Sequence, residues 1–308
     1  MQYSQIVDQV ASTLEQAGIE PYRHEALVLV AYALGIEVRE LQRLIIMRQD
    51  IPLSSDATAQ LMQRIETLTQ RRAQREPLQH ILGVAPFRYL TLQVGRGVFI
   101  PRPETELVVQ AGLDWLEHQH QVQNLTQPRV VDLCAGSGAI GLAVLTERVD
   151  SQVWAVELDN DALQWTQRNA KTVCEQYEST HAAQRYHLIQ GDATQAAKLD
   201  GLRPIVGAID LVLSNPPYIP LDTPVTQLEV RDYDPQLALY GGSADGTAIP
   251  QHVLDAGYQL LASGGCMIME HDASQGAVLA RYAQRIGFTH VEVCQDYAGR
   301  DRFIQAIK

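Results

Sequence analysis

Val130-Val131-Asp132-Leu133-Cys134-Ala135-Gly136-Ser137-Gly138-Ala139-Ile140-Gly141-Leu142 carries an apolar strand into a run of small residues and out into a helical pattern that begins near Ala139. Gly136 and Gly138 let the backbone turn tightly and approach a ligand with no Cβ in the way. About twenty residues on, where an acid suits the two hydroxyls of a ribose, a second apolar strand, Val153-Trp154-Ala155-Val156, ends in Glu157. A third, Tyr186-His187-Leu188-Ile189-Gln190, ends in Gly191-Asp192-Ala193, where a carboxylate can accept from an adenine amino group. Singly, each acid reads equally as a solvated strand end; in this order, the acidic strand ends are spaced along a nucleoside. The alternation of strand and helix predicts an α/β domain with a mostly parallel sheet.

A dinucleotide is the first ligand to weigh for such a loop. Asp132, four residues before Gly136, would repel a pyrophosphate and attract the cationic amino-acid end of S-adenosylmethionine. Downstream, the apolar run Ile209-Asp210-Leu211-Val212-Leu213-Ser214 ends in Asn215-Pro216-Pro217-Tyr218. The Asn215 side-chain oxygen and the Pro216 carbonyl are uncharged acceptors. The prolines hold the bend rigid, and Tyr218 adds a flat wall. This group fits a planar NH2, either a carboxamide or the exocyclic amine of a base. An ordinary strand-ending turn is the plainer reading, and the glycine loop upstream weighs against it. Ligands of open α/β sheets bind beyond the carboxyl ends of strands, where the connection order reverses, so loop and clamp are expected on neighbouring strands.

Asp132 to Gly141, Asn215 to Tyr218, and Phe99-Ile100-Pro101-Arg102-Pro103-Glu104-Thr105-Glu106 together resemble the release-factor glutamine methyltransferases, the HemK/PrmC family. The likeness spans the chain, including Gly241-Gly242-x-x-Asp245-Gly246. It implies a class I, Rossmann-like methyltransferase fold whose last strand runs antiparallel, preceded by a small helical bundle. It also implies methyl transfer from S-adenosylmethionine to the side-chain nitrogen of the glutamine in the Gly-Gly-Gln motif of peptide-chain release factors. The cofactor would be held by Asp132, Ala135, Gly136, Ser137, Gly138, Ala139, Glu157, Asp192, Ala193 and Asn215. Asn215, Pro216 and Tyr218 would serve catalysis, with Pro217 and Phe99 completing the substrate site. Arg102 and Glu104 would order the loop over the site, or else simply pair with each other and cap the helix. Asp234, before Pro235, and Glu157 stand where the family more often has Glu and Asp, and both keep the carboxylate.

Two alternatives stay open: a glutamine of a large-subunit ribosomal protein, and adenine N6 in nucleic acid. The second needs a basic groove for a flipped base, and the chain carries a net charge of −12 over 308 residues. Arg71-Arg72-x-x-Arg75, its densest basic run, reads as a solvated helix end. No direct contact with nucleic acid is therefore expected.

The four cysteines, Cys134, Cys174, Cys266 and Cys294, are far apart and read as reduced, mostly buried residues. Neither they nor the histidines show ligand spacing, so no metal is expected. Met1-Gln2-Tyr3-Ser4 opens no basic-then-apolar leader and no apolar run reaches membrane-spanning length, so the expectation is a cytoplasmic enzyme without membrane contact. Residues 1–76 read as a substrate-docking helical bundle, 77–100 as a β-hairpin linker, and 101–308 as the methyltransferase domain. Within the bundle, helices are expected at about residues 6–17, 21–34 and 38–47, and a long fourth, preceded by Pro52-Leu53-Ser54, runs to about Arg75. The hairpin strands are expected at Phe87–Leu90 and Leu92–Val94, with a helix from Pro103 to His118. His181-Ala182-Ala183-Gln184 reads as a surface loop. Later strands are expected at Ile209–Ser214, Cys266–Glu270, Val291–Cys294 and Phe303–Ile307.

Overall fold

The computed structural model describes residues 2–52 and 54–308; Met1 and Leu53, both named above, lie outside them. The chain forms two units: residues 1–84 with Thr226–Tyr233, and Ala85–Val225 with Asp234–Lys308.

The first unit is helical: α1 (Tyr3–Gln16), α2 (Tyr22–Leu34), α3 (Val38–Ile46), α4 (Ser55–Ala73) and the short α5 (Leu78–Leu82). Helix α2 is apolar nearly all round, as a central helix must be, and packs against α1, α3 and α4. Its Leu29 and Val30 join Ile6, Leu14, Leu41, Ile65 and Ile81 in one core. Gly35 in the left-handed conformation stops α2.

The arginines read as a solvated helix end do something else. Arg72 is 5 % exposed and donates to Glu25 at 2.5 Å and to Glu229 at 3.0 Å. Arg75 shares Glu229 at 3.2 Å and donates to the carbonyls of Ala17 and Gly18 at 2.8 and 2.9 Å, closing the end of α1. Arg71 pairs with Glu76. The carboxylates that hold Arg72 and Arg75 lie 47 or more positions away, so a local reading of the sequence misses them.

Next in the chain is a hairpin, β1 (Val84–Phe87) and β2 (Leu90–Gln93), which from Ala85 on belongs to the second unit. The expected strands are displaced because Arg88-Tyr89 is the turn. Arg88 has φ 51° and is held there by its N–H on Glu106 and its guanidinium on Glu147 at 2.6 Å. A 3-10 turn at Pro103–Thr105 then leads into α6 (Glu106–Gln123). That helix runs past His118 because nothing breaks it before Asn124, which caps it at φ 54°. There follow β3 (Arg129–Leu133), α7 (Ala139–Glu147), β4 (Gln152–Glu157), α8 (Asn160–Gln176), the short α9 (Ala182–Arg185), β5 (Tyr186–Gln190) and β6 (Ile209–Ser214). Helix α9 replaces the expected surface loop because Ala182 is fully buried in the core. After α10 (Leu228–Tyr233), which belongs to the first unit, come α11 (Ala248–Leu260), β7 (Leu261–Glu270), α12 (Gly276–Ile286), β8 (Thr289–Gln295) and β9 (Asp301–Ile307). Strand β7 starts five residues before Cys266, continuing through Gly264-Gly265.

The sheet order is β5-β4-β3-β6-β7-β9-β8, parallel from β5 to β7, with β9 antiparallel to both of its neighbours. Both faces are covered, so strands read as near-continuous apolar runs. Leu211, Leu213 and Ile268 face one core with Ile140 and Leu142, and Val212, Met267 and Met269 face the other with Val253 and Leu254. Leu133 pairs with Ser214, and Ser214 Oγ donates to the Leu133 carbonyl at 2.7 Å. The glycine loop and Asn215 therefore leave the sheet side by side.

Removing one partner of a buried ion pair strands the other. Arg72→Ala leaves Glu25 buried without its guanidinium, and should lower stability by about 3–5 kcal/mol in urea unfolding. A loss below about 1 kcal/mol, the range of exposed pairs, would show that water screens the cluster.

Candidate active site

Three residues of the glycine loop have positive φ: Cys134 (66°), Gly136 (58°) and Gly138 (82°). Cys134 was unforeseen there, since the left-handed region disfavours a Cβ. The loop is tied down on three sides. Ala135 N–H donates to the Val156 carbonyl at 3.0 Å. Thr166 Oγ donates to the Gly136 carbonyl at 2.6 Å, and Asn169 Nδ2 to the Ser137 carbonyl at 2.9 Å. Ala135, Ser137, Gly138 and Ala139 are buried and Gly136 is half-buried.

Asp132 is fully buried, and its Oδ2 accepts the Gly141 N–H at 2.8 Å, pinning the first turn of α7. A Cβ at Gly141 would stand 3.0 Å from that oxygen, so the third glycine admits the carboxylate. Asp132 Oδ1 is buried with no protein partner. Burial, opposed by the Gly141 N–H and reinforced by the Glu157 charge, pushes Asp132 up to about 7. Glu157 accepts the Gly136 N–H at 2.7 Å and the Asp159 N–H at 2.8 Å, and burial raises it despite these donors. Glu157 pairs in register with Gln190, so Gly191-Asp192-Ala193 follows beside it. Asp192 Oδ1 caps the next turn through Thr194, and Oδ2 takes no part in that turn.

At the clamp, Pro216 is buried and Asn215, Pro217 and Tyr218 are half-buried. Asn215 Nδ2 donates to Thr105 Oγ1 at 3.1 Å. Thr105 donates its hydrogen to Glu270 Oε2 at 2.7 Å, and Tyr218 Oη donates to Glu270 Oε1 at 3.2 Å. With its NH2 engaged, Asn215 presents Oδ1 as the open acceptor. Neither Thr105 nor Glu270 was singled out as a site residue. Thr105 lay within the quoted Pro-Glu-Thr-Glu run, and Glu270 showed only as an acid ending an apolar strand.

Gln275 Nε2 donates to the carbonyls of Tyr218 and Asp245, each at 2.8 Å. A Cβ at Gly246 (φ 72°) would lie 2.1 Å from the Tyr218 carbonyl oxygen. The Gly241–Gly246 stretch is glycine-rich because it runs backbone to backbone along the clamp.

Arg102 does not pair with Glu104. Its guanidinium lies 4.7 Å over the half-buried Phe99 ring and binds Asp234 Oδ2 at 2.5 Å. Burial pushes Asp234 up to about 6 against that cation. Glu104 instead lies 4.0 Å from Arg300. Thr105 is thus the residue by which the Phe99–Glu106 segment reaches the clamp. The cysteines are free; Cys266 is buried and the other three are half-buried.

A parallel sheet closed by a reversed final strand, with a glycine loop and acids at the carboxyl ends, defines a class I methyltransferase. The PrmC N-terminal domain profile matches residues 5–83, and that of conserved hypothetical protein 95 matches residues 81–231. The chain is 48 % identical over its whole length to the whole of a release factor glutamine methyltransferase of Bifidobacterium longum. It is 40 % identical to that of Streptomyces coelicolor, covering 98 % of this chain and 96 % of the relative. The human MTRF1L release factor glutamine methyltransferase is 32 % identical, over 97 % of this chain and 86 % of its own length. The chain belongs to the release factor glutamine methyltransferase family.

The raised Asp132 sets a sign for pH dependence. Its folded carboxyl holds a proton above its unfolded value, so the folded state binds more protons between about pH 4 and 7 and stability falls as pH rises. Relative to Asp132→Asn, the wild type should lose up to about 4 kcal/mol across that window in urea titrations. A difference independent of pH would mean that Asp132 ionises freely in the fold.

Proposed function

We propose that this protein transfers a methyl group from S-adenosylmethionine to the side-chain amide nitrogen of the Gly-Gly-Gln glutamine of peptide-chain release factors. The observation that carries the reading is the Asn215 carboxamide, held by Thr105 so that its oxygen is the open acceptor beside the Pro216 carbonyl. The names and full-length identities of its relatives support the substrate.

The glycine loop suits the cofactor. Glu157 and Asp192 stand at the ends of adjacent parallel strands, where ribose and adenine would be held. The unpartnered, buried Asp132 oxygen suits a cationic end, which would draw its carboxyl back toward the ionised form. When bound, S-adenosylmethionine supplies a methyl on a positively charged sulfur.

The chain's own work is on the amide. An amide nitrogen is a weak nucleophile because its lone pair is shared with the carbonyl. Accepting its two N–H bonds on Asn215 Oδ1 and the Pro216 carbonyl polarises it and fixes its direction. Positive charge then grows on that nitrogen beside dipoles that need no reorganisation. Orientation of this kind is worth about 7 kcal/mol in ideal cases. The proton leaves once the nitrogen is cationic, so no strong base is needed first. Tyr218, with its hydroxyl on Glu270 and its carbonyl on Gln275, forms a fixed wall. Phe99, held under Arg102, and Pro217 complete the substrate site, and the helical unit, residues 1–84 with Thr226–Tyr233, docks the release factor.

Incubation with S-adenosylmethionine and a release factor should place one methyl on the Gly-Gly-Gln glutamine, mapped by mass spectrometry. A methyl found only on a ribosomal-protein glutamine or on adenine in parallel reactions would overturn the substrate assignment. Asn215→Ala should lower kcat by about 10²–10³ and weaken cofactor binding far less. Equal losses in both would rule out the acceptor role.

A further inference from the structure

Glu270 ends β7 at 1 % exposure, and both of its oxygens are spoken for by hydroxyls of the site. We propose that Glu270 and Thr105 are positioning residues that set the polarity of the Asn215 carboxamide. The inference rests on the reading of Asn215 as the acceptor of the substrate amide.

The polarity is set by single hydrogens. Against burial, which raises Glu270, the two hydroxyl donors and the Arg302 cation favour its ionised form, and an ionised carboxylate accepts only. Thr105 has one hydroxyl hydrogen, and it goes to Glu270 Oε2 at 2.7 Å. Toward Asn215, 3.1 Å away, the Thr105 oxygen is then left only to accept. An acceptor there demands the NH2 end of the carboxamide, so Oδ1 faces the other way. Were the Thr105 hydroxyl free to turn, it could donate to Asn215 Oδ1 instead. The carboxamide would then rotate by half a turn and offer NH2 to an incoming NH2, donor against donor.

Thr105 is 4 % exposed, so water is poorly placed to correct the polarity from outside. The second Glu270 oxygen takes the Tyr218 hydroxyl at 3.2 Å, so the acceptor and the wall of the clamp hang on one carboxylate. Thr105 and Glu270 stand 165 positions apart in the chain and meet only in the fold.

The test uses the full chain with saturating S-adenosylmethionine and a release factor, and follows kcat, substrate KM and cofactor binding by calorimetry. Thr105→Val keeps the shape and removes the acceptor. It should lower kcat about 10- to 100-fold, with KM and cofactor affinity within about threefold of wild type. Thr105→Ser keeps the hydroxyl and should recover most of that loss. Glu270→Gln, whose amide can donate toward Thr105, should lower kcat in the same selective way. If Glu270→Gln does not fold, the Val and Ser pair decides.

Thr105→Val retaining kcat while Asn215→Ala loses it would overturn the inference and leave the acceptor reading intact. Asn215→Ala retaining kcat would overturn both. Thr105→Ser as impaired as Thr105→Val would show that packing matters there and the hydroxyl does not, which also overturns the inference.

Discussion

The pairing of β3 with β6 is the constraint on which the site depends. Leu133 lies against Ser214, and the Ser214 hydroxyl closes on the Leu133 carbonyl at the last step of the pair. A slip of one residue would turn Val212 and Leu213 to the wrong faces, exchanging the contents of the two cores. The register is therefore fixed by burial along the whole strand. The chemistry at its end inherits that precision without needing interactions of its own between loop and clamp.

Carboxylates recur at the carboxyl end of this sheet, and few of them are ordinary surface acids. Asp132, Glu157, Asp234 and Glu270 are all buried, and burial raises each of them. Their donors differ: backbone N–H groups for Asp132 and Glu157, a guanidinium for Asp234, and hydroxyls for Glu270. The last set is the weakest electrostatically and the most informative mechanically, because hydroxyls transmit direction. An environment of this sign opposes anions and favours a ligand or transition state that carries positive charge.

Much of this was legible in the sequence. The strand ends beside Asp132, at Glu157 and before Asn215 show because apolar runs give way to polar or small residues, and β5 and β6 follow at their expected limits. The placement of loop beside clamp follows from motif order. What was not legible depends on partners far away in the chain. Arg72 looks like a solvated helix end until Glu25 and Glu229 arrive, and Thr105 is one residue among several in the Phe99–Glu106 run until Glu270 does. Arg102 was weighed with its neighbour Glu104, whereas Asp234, 132 positions on, holds it. The hairpin was misplaced for a related reason: Arg88 occupies the turn because Glu147 anchors it there, and nothing local says so.

The assignment of Thr226–Tyr233 to the helical unit has a consequence for how such enzymes can be taken apart. The polypeptide passes between units after Val84, before Thr226 and again after Tyr233. Cutting the chain once near residue 84 would not yield two complete modules. A hybrid that carried residues 1–84 of this chain into a relative would bring Arg72 and Arg75 but not Glu229, so the graft succeeds only where the host supplies a carboxylate at that position. The segment that follows the clamp is in this sense a shared part, and recombination between relatives must treat it as belonging to the helices it pairs with.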